Sequence, residues 1–324
     1  MEMFFENASI IKKGYSLNNK WRILFERKEM TIREISLDAD PNFFCIGSCF
    51  AENVRKSLEK NGQKCYPNYH NLKFDKTNQV VDLISFGIPH MSYYSTPSIL
   101  QELNRSLGNS TEYQPLEISG LSIKDGKTVL ETESKVFQDP YRREVFSNIH
   151  LDINQLSQNI SNCIKEGLEK SNIFIITLGL VEIFKSKNGL IYNQYPGYMG
   201  CGYEGPDMSF HKMDHSEVYN DLKEIILSIK SININNKIIF SVSPVPLQLT
   251  FTNNDIFEAN MYSKSTIRSA VENVIDPDNG IYYFPAYEIA MNLGADFFQD
   301  RDKRHPKEEM VDTVVNLFLK STGF

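Results

Sequence analysis

The segment Asn42-Phe-Phe-Cys-Ile-Gly-Ser-Cys-Phe-Ala51 reads as a strand that turns sharply into a helix. Its first six residues are apolar apart from Asn42 and end at Gly47. From Ala51 to Lys60 the chain turns amphipathic, with Val54 and Leu58 four apart on one helical face. The same alternation recurs downstream. Ile173 to Gly179, Lys237 to Ser243 and Ile281 to Phe284 carry no internal charge, as strands buried on both faces do. Helical periodicity covers Ser98 to Ser106, Ile153 to Glu169, Ser216 to Ile229, Glu258 to Val274 and Lys307 to Leu319. Strands alternating with helices predict an α/β domain with a mainly parallel sheet.

Two stretches break this rhythm. Leu121 to Leu130 centres on Asp125-Gly126 and Phe184 to Tyr192 on Asn188-Gly189, dipeptides suited to hairpin turns, so β-hairpin insertions are expected beside the main sheet. Between Tyr195 and His215 the chain is rich in Gly, Tyr, Pro and His without periodicity, which predicts a lid or substrate-facing loop. Residues 1–40 read as an N-terminal extension on a single domain spanning 41–324.

Composition excludes several functional classes. The 324 residues hold 34 Lys and Arg against 41 Asp and Glu, a net charge of −7 that offers no basic footprint for nucleic acid. The longest apolar run, around Asn172 to Phe184, is shorter than the roughly 20 residues of a membrane span and contains Thr177 and Glu182. The first residues lack an apolar signal core, and the five cysteines include no CxxC pair, so a cytoplasmic protein with reduced thiols and no metal is expected.

Ser48 sits where the first strand yields to the helix. A serine there holds its hydroxyl at the carboxyl edge of the sheet, where open α/β sheets bind ligands, and its N–H near a helix N-terminus that can stabilise an oxyanion. The position equally suits a serine that only caps the helix. Near the other end of the chain, Asp302-Lys-Arg-His305 places a carboxylate three residues before an imidazole. Asp302 can orient His305 and leave its second nitrogen as a general base, or the segment is an exposed polar loop. Taken together, the three residues favour a Ser-His-Asp hydrolase.

Other candidates each have two readings. Arg142 and Arg143 suit either an anion clamp or ordinary ion pairs. Ser243, ahead of Pro244, either faces the ligand edge or ends its strand in a turn. Lys264 and Arg268, four apart on a helix, form an anion-facing edge or a solvated face. His211 and His215 have a helical metal-ligand spacing without a carboxylate triad nearby. Tyr192, Tyr195, Tyr198 and Tyr203 either stack on sugar rings or pack the long loop. Because the net charge is negative, an anionic substrate would need local groups such as Arg142 and Lys264.

Gly47-Ser-Cys-Phe-Ala51 resembles the signature of the GSCFA family, which is placed among the SGNH or GDSL-like hydrolases. Thr177-Leu-Gly-Leu-Val-Glu182, Ser243-Pro-Val-Pro-Leu247, Ser263-Lys-Ser265 followed by Arg268, and Tyr283-Phe-Pro285 with Tyr287-Glu288 look like further family blocks in the family's order. Asp139-Pro-Tyr-Arg142 resembles another. The resemblance implies a three-layer α/β/α domain with a five-stranded, mainly parallel sheet. It implies Ser48 as nucleophile, His305 as base and Asp302 as its orienting partner; beside these, Gly47, Gly179, Glu182, Arg142 and Ser243 are the candidates for the oxyanion and substrate.

The implied activity is that of a serine esterase acting on O-acyl groups, with a saccharide ester as the expected substrate. The alternatives are O-acyl transfer to a glycan precursor, with acyl-CoA as donor, and a non-catalytic ligand-binding domain. No cofactor is implied, and the oligomeric state is open. Related SGNH enzymes complete the oxyanion hole with the asparagine of a Gly-x-Asn-Asp block, whereas this strand ends Gly179-Leu-Val-Glu182. The oxyanion then depends on the Ser48 N–H and other donors, such as the backbone near Thr96 to Ser98. Glu182 is either a desolvated carboxylate with a raised pKa or the partner of an arginine such as Arg142.

Overall fold

The computed structural model describes residues 34–37, 40–69, 80–82, 91–109, 115–124, 127–142, 145–148, 150–193, 195 and 208–323. In chain order the elements are β1 (Asn42–Gly47), α1 (Cys49–Lys60), β2 (Lys64–Tyr66), β3 (Val80–Asp82), α2 (Thr96–Ser106), β4 (Leu116–Lys124), β5 (Lys127–Gln138), β6 (Val145–Ser147), α3 (His150–Lys170), β7 (Ile173–Leu178), β8 (Glu182–Lys185), β9 (Ile191–Tyr192), β10 (Ser209–Lys212), α4 (His215–Ile232), β11 (Lys237–Val242), α5 (Ile256–Glu272), β12 (Ile281–Tyr283), α6 (Ala286–Leu293) and α7 (Glu308–Thr322).

β12, β11, β7, β1 and β2 form one sheet in that order, and every pairing in it is parallel. Its strands show why uninterrupted apolar runs were required. Phe44 and Ile46 of β1 face a layer built from α2, α3, α4 and α5, while Phe43 and Cys45 face α1, α6 and α7. A period of two on a sheet covered on both faces leaves no side for water, so both sets must be apolar. The result is the three-layer α/β/α domain. The chain leaves β1 for β2 on one side and reaches β7 on the other, so the crevice at the carboxyl ends of β1 and β7 is the switch point where such sheets bind ligands.

The insertions are antiparallel. β4 and β5 pair through Lys124 and Lys127, flanking the Asp125-Gly126 dipeptide, which itself lies outside the described residues. They join β6 and β3 in a four-stranded sheet. β8 pairs with β9, with Gly189 at φ 80° in the connection, and β10 adds to the other edge of β8. The region from Tyr195 to His215 is thus not all loop: Ser209–Lys212 is a strand, and Tyr198 and Tyr203 lie outside the described residues. The short β2 and α6 have no periodic signal long enough to reveal them. Among the described residues no helix is long and apolar enough to cross a membrane. Of the proposed N-terminal extension, little lies within the described residues; there the Ile35 N–H donates to Ser321 at the end of α7.

A buried ionic cluster ties the four-stranded insertion to α2 and α3. Arg142 is fully buried and meets Glu102 through Nη2 at 2.6 Å and Nε at 3.0 Å. It also meets Asp139 at 3.4 Å, the Ser157 carbonyl at 2.7 Å and Ser161 Oγ at 2.8 Å. Arg105 reaches Asp139 at 2.9 Å, and the Tyr93 hydroxyl donates to Glu102 at 2.6 Å. Burial opposes the charge of Arg142, but Glu102 and Asp139 outweigh it and raise its pKa; the two arginines in turn hold Asp139 below the usual carboxylate range against the pull of burial. Arg142 is therefore a structural cation, and its expected role in holding substrate is corrected.

Removing one member of such a cluster leaves buried charge uncompensated. We expect Arg142→Ala to lose about 3–5 kcal/mol of stability in urea unfolding, and the double change Arg142→Met with Glu102→Leu to lose less than Arg142→Ala alone.

Candidate active site

The carboxyl ends of β1, β7 and β11 open onto a cleft of about 740 Å³. Ser48, Gly179, Glu182, Ser243 and His305 all line it. Arg142 and the Thr96 to Ser98 backbone do not. α1 begins at the cleft because Ser48 is its N-cap: the Ser48 Oγ accepts from the Phe50 N–H at 3.3 Å, as the strand-to-helix junction predicts. The same hydroxyl meets Thr177 Oγ1 at 3.1 Å, and Ser48 is only 2% exposed. Thr177, the hydroxyl that interrupts the apolar run of β7, is a site residue that spacing alone did not single out.

Gly47 makes this junction possible. It sits at φ 138°, and a Cβ there would lie 2.1 Å from the Thr177 carbonyl oxygen. That oxygen accepts the Ser48 N–H at 3.0 Å. The expectation that the Ser48 N–H is a free oxyanion donor is thereby corrected. The N–H groups of Gly179 and Leu180 are committed as well, both to the Tyr94 carbonyl, at 2.9 and 3.0 Å. Gly179 instead contributes space, since a Cβ would stand 3.1 Å from Tyr94 O and 3.6 Å from Ser48 Cβ.

His305 and Asp302 occupy the tight segment before α7. Asp302 Oδ2 lies 2.6 Å from His305 Nδ1, while Oδ1 accepts the N–H groups of Arg304 and His305 at 2.9 and 3.1 Å. The Arg304 N–H and then the His305 ring hold the Asp302 carboxyl well below the usual carboxylate range. A carboxylate on Nδ1 assigns the proton to that nitrogen and leaves Nε2 as the basic one. Lys303 takes φ 52° to close the turn, a conformation a non-glycine residue adopts only when its surroundings impose it. Arg304 supplies such a restraint by donating to the Pro246 carbonyl at 3.3 and 3.1 Å from Nε and Nη2. Ser48 and His305 share the cleft without being hydrogen-bonded to each other, and Nε2 has no partner among the described residues.

Two further candidates resolve differently. Glu182 pairs with no arginine among the described residues; its carboxylate accepts the Thr250 hydroxyl at 2.7 Å and the Phe251 N–H at 2.8 Å, pinning the loop after β11. Ser243 is buried, and its Oγ accepts the Val245 N–H at 3.3 Å, the turn that ends β11. His211 meets Glu217 and His215 meets Asn273, and no cluster of potential metal ligands occurs among the described residues.

Two buried polar side chains depart from the sequence reading, Asn193 because it did not stand out and Lys264 because it was expected on an anion-facing or solvated face. Asn193, 6% exposed, lines the cleft from the end of β9 and donates through Nδ2 to the Ser92 carbonyl; Ser92 bridges Gly47, the neighbour of Ser48. The second N–H of that amide has no partner among the described residues. Lys264 is 1% exposed, not on a solvated face and not in reach of an anionic substrate. Its Nζ donates to the carbonyls of Gly179 at 2.7 Å and Val245 at 2.9 Å, clamping two rims of the cleft. Arg268, one turn on, pairs with Glu288 and Glu272. No anion clamp of Arg142 and Lys264 therefore exists.

The profile of the GSCFA family matches residues 42–318. No curated protein matches the chain. Among solved structures, a protein described as a GDSL-like lipase from Parabacteroides merdae is similar at 15% identity and a TM-score of 0.30, covering 52% of this chain and 67% of its own. An acetyl esterase variant with acetate ion is similar at 13% identity and a TM-score of 0.28, covering 69% of this chain and 86% of its own. A carbohydrate esterase family 3 protein from Talaromyces cellulolyticus has the same identity, TM-score and coverage of this chain, and 87% of its own length is covered.

Burial lowers the Lys264 ammonium to about 7, with Arg304 acting in the same direction and Cys49 against it. Between about pH 7 and its ordinary value near 10.4, the unfolded chain binds the proton that the folded chain has released, so stability rises with pH. We expect wild-type stability to climb from pH 7 to 8.5 in urea unfolding, and Lys264→Met to flatten that slope.

Proposed function

Since the chain belongs to the GSCFA family, we propose that it is a serine-dependent esterase acting on O-acyl groups through Ser48, His305 and Asp302. The observation that carries this reading is a single cleft lined by a strand-end serine and by an imidazole whose Nδ1 is held by a carboxylate at 2.6 Å. The reaction requires the Ser48 hydroxyl to leave Thr177 for His305. Ser48 Oγ then attacks the ester carbonyl carbon as its proton passes to Nε2. Collapse of the tetrahedral adduct breaks the bond to the alcohol oxygen, which takes the proton from His305 and leaves an acyl-Ser48. His305 next deprotonates a water that attacks the acyl carbon, releasing the carboxylic acid and restoring Ser48. Transfer to a second alcohol, such as a glycan hydroxyl, uses the same residues and differs only in the attacking group.

The oxyanion needs a donor, and the backbone N–H groups of Ser48, Gly179 and Leu180 are all committed. The second Nδ2 proton of Asn193 supplies one, assisted by the positive end of α1. An asparagine from the β8–β9 hairpin thus serves where the strand-end block has none.

One observation favours a ligand-binding domain without turnover: Thr177 engages both the N–H and the hydroxyl of Ser48. Apo hydrogen bonds of catalytic groups are often incomplete, which keeps the esterase reading first. A fluorophosphonate probe separates the two. The esterase reading expects labelling of Ser48 that is abolished in Ser48→Ala and slowed at least about 100-fold in His305→Ala. Absence of labelling in the wild type would favour binding alone. With labelling established, Asn193→Ala is expected to lower kcat on phenyl acetate by about 10²- to 10³-fold with little change in KM.

A further inference from the structure

One wall of the cleft has a chemistry of its own. Phe184, Tyr192, Tyr195, Leu247, Leu249 and Phe251 line it. Phe251 packs edge-on against Phe184 at 4.8 Å between ring centroids and tilts against Tyr195 at 5.7 Å. Even so, Phe251 is 41% exposed and Leu249 37% exposed, large apolar side chains held in the open beside the proposed catalytic residues. The arrangement is rigidly supported, because both carboxylate oxygens of Glu182 are spent on the Thr250 hydroxyl and the Phe251 N–H. Gln248 is a polar side chain of that loop that also lines the cleft. An acetyl group needs far less than a cleft of about 740 Å³. A sugar ring laid against this wall would meet only the Gln248 amide and the hydroxyls of Tyr192 and Tyr195, too few for all of its own hydroxyls.

We infer that this wall is a subsite for an extended apolar group of the ester, and that Glu182 is the positioning residue that sets it. The inference rests on the esterase reading for its catalytic arm, and it sharpens the substrate from a saccharide ester to an ester carrying a medium-length alkyl or aryl chain. The apolar group can belong to the acyl or the alcohol side, and the substrates below separate the two. Phe251 and Leu249 touch the chain; Glu182 acts only through the loop.

The test measures kcat/KM on p-nitrophenyl acetate, butyrate, hexanoate and octanoate, on ethyl and octyl acetate, and on a peracetylated methyl glucoside. Each methylene buried against the wall is expected to raise kcat/KM about three- to fivefold until the wall is filled. A rise along the acyl series assigns the wall to the acyl group; a preference for octyl over ethyl acetate assigns it to the alcohol. Phe251→Ala should lower the ratio of the favoured long to short substrate at least about tenfold. Glu182→Ala should lower the same ratio through KM with kcat and its pH profile unchanged, and Glu182→Gln, which keeps one acceptor oxygen, should recover part of it. A flat series in both directions, or faster turnover of the acetylated glucoside than of any long-chain ester, would overturn the inference. Calorimetric binding of 1-octanol to Ser48→Ala, weakened by Phe251→Ala, supports the subsite even if no ester is turned over, in which case the esterase reading fails alone. No binding of 1-octanol together with a flat series overturns the subsite while leaving Ser48 labelling intact.

Discussion

The constraint on which the site depends is the approach of Gly47 to the Thr177 carbonyl. Adjacent parallel strands converge there so tightly that any Cβ would overlap the carbonyl oxygen. Because the two strand ends meet, the Ser48 N–H can bond Thr177, α1 can start at once, and Gly179 can pass against Ser48. The cleft exists where it does because the sheet reverses its winding between β1 and β7 at this contact. The same closeness commits the backbone donors nearest Ser48, so in the proposed esterase an oxyanion donor has to come from a side chain.

Charge in this protein works from inside. The cations that seemed available for substrate, Arg142 and Lys264, are both fully buried and fully engaged, one between two carboxylates and the other between two carbonyls. Arg142 joins the four-stranded insertion to α2 and α3. Lys264 holds two rims of the cleft in register. The carboxylate of Glu182 likewise acts on its own chain, by fixing the loop that carries Phe251. What faces the cleft is a polar side that holds Ser48, Asn193 and His305 with Glu52, Lys56, Arg301 and Arg304, beside an apolar wall.

The core order of strand and helix was legible because each central strand is an uninterrupted apolar run and each long helix keeps a 3.6-residue period, signals that depend only on burial. The candidates Ser48, Asp302 and His305 stood out for local reasons: a strand-Gly-Ser-helix junction and an i,i+3 pair can be read without knowing the rest of the fold. Asn193 did not, because nothing around Tyr192-Asn193 indicates that the hairpin folds back onto Ser92 and Gly47. Arg142 and Lys264 misled because a sequence shows a charge but not whether it is desolvated.

The sequence by itself thus determined the layered α/β architecture, the two hairpins and the carboxylate-imidazole pair, all of which follow from periodicity and short-range geometry. Only the tertiary structure decided which polar groups are spent on the fold and which remain for a ligand. That allocation depends on contacts between residues far apart in the chain, where a hydrogen bond to Thr177 or Gly179 outcompetes solvent because both partners are buried.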